Sequence, residues 1–208
     1  MQTAFPFLDA SRLLTLIDHE LELVEPSPHL VTELYAACQH PLTCRDMPAM
    51  AHTTRDGLLS FLANNPGGRS APIPERGIAP GYTFWMRLRH VLPLDPRLPP
   101  PPVAMAGSIS LRIGHSGNLD WFLGHLGYHV LPPARGRGFA ERACRLLLPL
   151  ARAHGHAHLW ITCNPENAAS RRTCERLGAR FIDIVPVPPD NALYAQGDRF
   201  KCRYRLDL

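Results

Sequence analysis

Residues 134–140 read Ala-Arg-Gly-Arg-Gly-Phe-Ala and have the residue types that bind a phosphate. Gly136 and Gly138 have no side chain beyond hydrogen, so a phosphate can reach the backbone N–H groups. Arg135 and Arg137 add positive charge. Apolar residues recur at helical spacing after the turn, and a helix start has unpaired N–H groups with a partial positive charge. The turn therefore predicts a site for a phosphorylated ligand.

Two common nucleotide-binding motifs do not fit this turn. A dinucleotide-binding fold needs a third small residue three positions after Gly138, where this chain has Glu141. It also needs an acidic residue about twenty positions further on, where His158 and Leu159 stand. A P-loop needs Gly-Lys-Ser or Gly-Lys-Thr, and the sequence contains neither.

The pattern Arg/Gln-x-x-Gly-x-Gly/Ala does fit, with Arg135, Gly138 and Ala140 at its defined positions. This turn resembles the signature of the GNAT superfamily of N-acetyltransferases, which holds the pyrophosphate of acetyl-coenzyme A. Residues 127–132 resemble the family's fourth strand, and residues 164–179 resemble its closing helix with a Leu-Gly exit. The resemblance is close over residues 127–181 and looser over most of 82–208. The end of the chain is similar to that of bacterial predicted acetyltransferases of this superfamily.

The resemblance implies an acetyl-coenzyme A-dependent N-acyltransferase that uses no metal. The strand backbone near residues 129 and 130 would polarise the thioester carbonyl through its N–H groups. The residues implied to hold the cofactor are Tyr128, His129, Val130, Arg135, Gly136, Arg137, Gly138, Phe139, Ala140, Asn167 and Ser170.

Proton transfer is where the sequence departs from the family. Many members have a tyrosine seven residues after the position of Asn167, and this chain has Cys174 there. Cys174 is a catalytic candidate, although its inward helical spacing with Ser170 is also typical of a small buried side chain. Tyr128 and His125 are the other catalytic candidates, but side chains alternate along a regular strand, so the two cannot share a face. Proton relay through ordered water is the remaining alternative.

Histidines and cysteines offer little support for a metal site. His154, His156 and His158 alternate and could face one side of a strand, but Gly155 favours a helix end there. None of the six cysteines forms a Cys-x-x-Cys pair, so we predict no metal and expect reduced thiols.

Composition predicts one soluble domain in the cytoplasm. The chain has 208 residues, 45% of them hydrophobic, which suits a single core spanning residues 1–208. No apolar run reaches the length of a membrane span, and no basic stretch precedes an apolar one at the amino terminus. A net charge of +4 is too small to argue for nucleic acid as a partner.

Periodicity and turn signals predict the elements around this site. Residues 93–102 hold a proline-rich connection, and Pro149 should kink the helix after the turn or end it early. Asn164 should cap the following helix and Gly178 should end it in a left-handed conformation. Strands are expected at 20–24, 82–91, 105–113, 123–131, 159–163, 181–187 and 200–206, and helices at 29–38, 56–63, from the turn to Gly155, and from 165 to 177.

These elements and the resemblance predict an α/β protein of GNAT fold. Its central sheet would be mixed, mostly antiparallel, about seven strands wide, flanked by helices and splayed at the acetyl-coenzyme A site. Residues 1–80 would line the acceptor side, and residues 81–185 would form the cofactor-binding core.

The expected reaction is direct attack of a primary amine, from a small molecule or a peptide, on the acetyl thioester in a ternary complex. A catalytically degenerate acyl-coenzyme A sensor or interaction protein is the alternative, and a nucleic-acid-binding module that uses the Arg-Gly turn is a third. Exposed strand edges are compatible with a homodimer.

Overall fold

The computed structural model describes residues 5–9, 15–73, 78–92 and 103–208, with backbone alone for residues 90–92. The proline-rich connection expected at 93–102 lies outside these residues. Among the described helices, none has the length and apolar character needed to cross a membrane.

Along the described residues, four α-helices follow the first strand, four strands come next, and α-helices and strands alternate after that. The strands are β1 (Leu21–Val24), β2 (Arg69–Ser70), β3 (Gly81–Leu92), β4 (Val103–Arg112), β5 (Leu126–Val130), β6 (His158–Cys163), β7 (Arg180–Pro186) and β8 (Phe200–Asp207). The α-helices are α1 (Val31–Cys38), α2 (Pro41–Asp46), α3 (Pro48–Ala51), α4 (Arg55–Asn64), α5 (Phe139–Ala153), α6 (Ala168–Leu177) and α7 (Ala192–Ala195). A π-helical turn covers Leu119–Leu123.

The strands form two sheets. The first has the order β1-β3-β4-β5 with β2 also paired to β3, and the second has the order β6-β8-β7. All of the described strand pairs are antiparallel, for example Ile109 opposite Tyr128 and Cys163 opposite Cys202. The α/β class with a largely antiparallel, divided sheet is confirmed.

The two sheets touch where β5 begins. The His125 N–H donates to the Trp160 carbonyl at 2.7 Å, and a Cβ added to Gly124 would lie 2.9 Å from the Thr162 nitrogen. Past this apex, no ladder joins β5 to β6 in the part of the chain that is described. The strand predicted from residue 123 is therefore wrong at its start, since Gly124 has a φ of +70° and follows the π-helical turn.

Helix α5 packs one apolar face against the first sheet. Phe139, Ala143 and Leu147 are fully buried with the core residues of β3, β4 and β6. Burying a side chain such as Phe139 contributes about 1.5–3 kcal/mol relative to exposure. The expected early end at Pro149 is wrong. Pro149 and Arg145 lie on the exposed face, where water can bind the carbonyl that proline leaves unpaired, and the helix continues to Ala153.

Helix α6 begins later than expected. Asn167, not Asn164, is the N-cap, and its Oδ1 accepts a hydrogen bond from the Ser170 N–H at 3.0 Å. Asn164 does not cap the helix, because its side-chain amide is hydrogen-bonded to Asp198 in the loop before β8 and to Lys201 on β8. Gly178 ends the helix with a φ of +84°, as predicted. The cap places the start of α6 opposite the exposed end of β5.

Candidate active site

A cleft of about 590 Å³ opens between the end of β5, the glycine-rich turn and α6. Ten of the eleven residues expected to hold the cofactor line it, and Arg137 is the exception. The lining residues are Met47, Tyr128, His129, Val130, Ala134, Arg135, Gly136, Gly138, Phe139, Ala140, Asn167, Ala169, Ser170, Arg172, Thr173 and Arg176.

Backbone conformation explains the two glycines of the turn. Gly136 has a φ of +81° and Gly138 a φ of +73°, values that other L-residues rarely adopt. A Cβ added at either position would meet no protein atom within 4 Å. The space in front of both residues is therefore open. Gly138 is also the N-cap of α5 and no side chain caps that helix, so its first N–H groups are free to bind an anion.

Positive charge reaches the cleft from two sides. Arg135 stands on the turn, where its Nε donates to the Val130 carbonyl at 3.1 Å. Arg172 and Arg176 reach the cleft from α6, and the sequence reasoning missed both. Their spacing of four residues on a helix that begins near the motif was the available signal, because residues i and i+4 share a helix face.

A second cavity of about 260 Å³ adjoins the cleft. Tyr128, Asn167 and Ser170 line both spaces, so the cleft and the cavity meet at these three side chains. The other residues that line the second cavity are Arg112, Phe122, Leu123, Leu126, Gly127, Thr162, Cys163, Asn164, Asp198 and Lys201.

Tyr128 places its phenol hydroxyl at this junction. Its hydroxyl lies 2.8 Å from the Ser170 Oγ, across 42 residues of sequence. Burial raises the pKa of the Tyr128 phenol well above its ordinary value, because the phenolate would lose hydration there. The phenol therefore stays protonated at neutral pH.

His125 has a different place from Tyr128. It is fully buried at the apex of the two sheets and lines neither the cleft nor the second cavity. Its Nδ1 accepts the Trp160 N–H at 2.9 Å, so the ring proton is on Nε2, which lies 3.0 Å from the Gly114 carbonyl. Burial lowers the pKa of His125 to about 4. These bonds hold the apex and leave no lone pair for proton abstraction.

The three histidines at alternate positions, His154, His156 and His158, do not form one cluster. His154 bonds the Tyr82 hydroxyl, whereas His156 lies with His115 and His125, whose ring nitrogens come within 4.8 Å of its own. A metal would need a free nitrogen lone pair on each ring. Since the lone pair of His125 is already used by a backbone N–H, the hydrogen bonds do not favour a metal at this cluster.

Cys174 is buried in the core and lines neither space. The hydrogen bond with the thiol of Cys163, together with burial, raises the pKa of Cys174 well above its ordinary value. Its thiol proton is therefore held more tightly than that of an exposed cysteine. This placement fits the interpretation of Cys174 as a small buried side chain.

A charged network closes one side of the second cavity. Lys201 donates to Asp198 at 2.6 Å and to the Asn164 Oδ1 at 2.7 Å, and the Asn164 amide donates to Asp198 at 2.7 Å. Burial opposes ionisation, but the hydrogen bonds from Lys201 and Asn164 lower the pKa of Asp198. Asp198 and Lys201 thus remain a compensated ion pair.

Comparison with known proteins agrees with this geometry. The family model for the acetyltransferase (GNAT) domain matches residues 20–180. The microcin C7 self-immunity acetyltransferase MccE, solved with acetyl-CoA and AMP, is 15% identical with a TM-score of 0.61, over 92% of this chain and 94% of that one. RimL, a ribosomal L7/L12 α-N-protein acetyltransferase in complex with coenzyme A, is 17% identical with a TM-score of 0.60, over 94% and 97%.

A third structure is an acetyltransferase from Salmonella typhimurium that modifies the N-terminal serine of L7/L12. It is 16% identical with a TM-score of 0.57, over 92% of this chain and 96% of that one. No curated protein matches the sequence. At these identities the solved structures establish the fold, whereas the family model covers more than half of the chain. The chain therefore belongs to the GNAT family of acetyl-coenzyme A-dependent acyltransferases.

Proposed function

We propose that this protein transfers an acetyl group from acetyl-coenzyme A to a primary amine by direct attack within a ternary complex. The observation that carries the proposal is the junction of two spaces at Tyr128, Asn167 and Ser170. A donor in the cleft and an amine in the second cavity would meet at a half-buried, protonated phenol. Such an arrangement lowers the barrier by positioning two reactants and a proton donor together.

The residues of the cleft fit the phosphorylated cofactor. The open space before Gly136 and Gly138, together with the uncapped start of α5, suits the pyrophosphate. Arg135, Arg172 and Arg176 add the charge that such a group needs. The backbone of residues 128–130 would hold the pantetheine arm, and Asn167 would contact the same arm from the facing helix.

The bound cofactor supplies an activated acetyl thioester. Backbone N–H groups of β5 near His129 and Val130 would polarise its carbonyl, as the sequence predicts. Tyr128 would donate its proton to the departing sulfur and recover one through Ser170, to which it is hydrogen-bonded.

The amine must arrive without its proton. Asp198 is the only carboxylate among the described residues that line the two spaces, and Lys201 already compensates it. We therefore propose that the ammonium proton leaves to solvent water before attack, with no dedicated base. His125 has no part in this step, because both of its ring nitrogens are engaged at the apex.

We also propose a single domain over residues 1–208, with its cofactor-binding core in 81–185. For the acceptor side, we propose the second cavity in place of the expected residues 1–80. Every described residue that lines the second cavity lies between Arg112 and Lys201, and Met47 is the one early residue on the cleft. The early helices would then support the donor side rather than the acceptor cavity.

A degenerate, cofactor-binding protein is the second candidate. The burial of Cys174 favours it, because the family's usual proton donor position then lies away from both spaces. It predicts cofactor binding without amine-dependent release of free thiol.

Calorimetric titration of acetyl-coenzyme A tests the proposal. Wild type should bind at micromolar strength and Gly138→Trp should lose binding, since the indole fills the phosphate site. Gly155→Trp is the matched control, because Gly155 also has a positive φ and open surroundings but lines neither space. Equal binding by the two variants would refute the cleft assignment. Thiol release with a panel of amines then separates transfer from binding alone.

A further inference from the structure

Arg112 is a charged side chain of the second cavity that pairs with no carboxylate among the described residues. It ends β4, and its guanidinium lies over Gly127 of β5. A Cβ added to Gly127 would lie 3.1 Å from both Nη1 and Nη2 of Arg112. Contacts that short are tight, so any larger residue at 127 would displace the guanidinium. The absence of a side chain on Gly127 therefore makes room for this cation at the cavity.

Among the described residues, Arg112 has backbone partners and no carboxylate partner. Its Nη1 donates to the Gly124 carbonyl at 3.0 Å, with the Leu123 carbonyl at 3.5 Å. Burial lowers the pKa of Arg112, and within the described residues no acidic group offsets that effect. Removing an ion from water is unfavourable unless a partner compensates it.

Three other arginines of low exposure are compensated by carboxylates. Arg203 donates to Asp183 at 2.7 Å with its side chain 8% exposed, and Arg69 donates to Glu25 at 2.7 Å with 26% exposed. Arg142 binds two carboxylates in the same way. Arg112 differs from all three, because the space beside it is a cavity instead of an acidic side chain.

Among the Arg, Lys, Asp and Glu side chains that line the cavity, the formal charges leave one positive charge uncompensated. Arg112 and Lys201 contribute two positive charges and Asp198 one negative charge, which leaves a sum of +1. Because Lys201 is bound to Asp198 at 2.6 Å, the excess charge sits at Arg112. The volume of about 260 Å³ suits a small molecule and is too small for a folded surface to enter.

We propose, on the basis of the acetyl transfer proposed above, that the acceptor is a small amine bearing a carboxylate, which Arg112 binds while the amine faces Tyr128. A planar guanidinium recognises a carboxylate through two parallel hydrogen bonds, and it also fixes the orientation of the molecule. A phosphate at this depth would need a second free cation, and Lys201 is already used. Amino acids are the simplest members of this substrate class.

The test uses acceptor pairs that differ in the carboxylate alone: glycine and glycinamide, alanine and alaninamide, serine and serinamide. Thiol release gives kcat/KM for each compound with wild type, Arg112→Gln and Arg205→Gln. Arg205 is the control, because it is an arginine outside both cavities that bonds Asp207. Each pair is assayed at a pH where both amines are largely neutral, since the amides are the weaker bases.

Wild type and Arg205→Gln should favour the acids by about 10- to 100-fold, mainly through KM, because a charge-assisted bond to a carboxylate is lost with the amide. In Arg112→Gln the ratio of acid to amide should fall towards one. Gly127→Ala provides a second variant, since its methyl group crowds the guanidinium, and it should reduce the same ratio.

Equal rates for acids and amides in wild type, or an unchanged ratio in Arg112→Gln, would overturn the inference. If acetyl-coenzyme A binds and amines without a carboxylate release thiol while no amino acid does, the inference fails and the proposed transfer stands. If acetyl-coenzyme A does not bind at all, both fail together.

Discussion

The cleft and the second cavity are neighbouring spaces built on different principles. The cleft is made largely of backbone conformation, with two glycines at positive φ, an uncapped helix start and the end of β5, whose second edge pairs with no other described strand. The second cavity is made of side chains, with Arg112, Asp198 and Lys201 from separate elements. A site made of backbone suits a ligand shared by many proteins, whereas side chains can change without disturbing the fold.

The two spaces also treat charge differently. Arginines at the cleft come from the turn and from one face of α6, so they sum to a positive surface for an anion. The second cavity pairs Lys201 with Asp198, whereas no carboxylate in the described part of the chain pairs with Arg112. Mutations can therefore separate donor binding from acceptor selection, and Tyr128 lies where the two spaces meet.

Tyr128→Phe should have the largest effect, because it removes the proton donor at the junction. We expect kcat to fall by about 100- to 1,000-fold with the affinity for acetyl-coenzyme A within a factor of three. Steady-state kinetics and calorimetry check the two quantities. Tyr35→Phe is the control, since Tyr35 lies on α1 away from both spaces. A variant with normal kcat would assign protonation of the sulfur to solvent.

His125 should make the apex sensitive to acid. Its folded pKa is about 4, below the unfolded value of about 6.5, so the unfolded chain binds more protons between these pH values. The contribution is complete above pH 6.5 and is lost as the pH falls to about 4, on the order of 3 kcal/mol in the free energy of unfolding. The nearby groups His115, His156 and Asp120 modify the slope.

Urea unfolding at pH 4.5 and pH 7.5 measures this loss. His125→Gln should flatten the difference between the two pH values, although it lowers stability at both. The exposed His52 offers the comparison, and His52→Gln should leave the wild-type difference in place. If His125→Gln keeps the full difference, another group is responsible for the acid sensitivity.

Asp198→Asn should act on the second cavity alone. It leaves the Lys201 ammonium, which is 11% exposed, without its counter-charge, and we expect a loss of about 2 kcal/mol in unfolding free energy. Acceptor KM should change while the affinity for acetyl-coenzyme A stays within a factor of two. Thermal unfolding and calorimetry report these results, and a comparable loss of cofactor affinity would show that the two spaces are coupled. Asp207→Asn removes an exposed partner and is the control.

Arg172→Ala and Arg176→Ala should act on the cleft alone and have the smallest effect. Each should weaken acetyl-coenzyme A binding by about three- to tenfold, because solvent screens an interaction at the edge of the cleft. The loss should shrink as salt increases, which calorimetry at two salt concentrations can show. Arg180→Ala on β7 serves as the control for a general loss of positive charge. A changed preference between acceptors would contradict the separation of the two spaces.

The sequence by itself determined the features that depend on local backbone. The glycine-rich turn, the apolar face of α5 and the left-handed Gly178 follow from nearby residues, since φ preferences and helical spacing act over a few positions. Two predictions from the sequence were wrong because neighbouring residues gave competing signals. Two asparagines could cap α6, and an apolar run from residue 123 hid the turn at Gly124.

Tertiary structure alone decided which distant side chains share a space. Tyr128 meets Ser170, Arg112 lies over Gly127, and His125 is held by Trp160 at the apex. These partners come from different strands and helices, so no spacing along the chain encodes them. Their positions depend on how the sheets diverge and on what each buried polar group needs as a partner. The sequence was therefore enough to predict the cofactor, whereas the proposal for the acceptor depends on how the sheets pack.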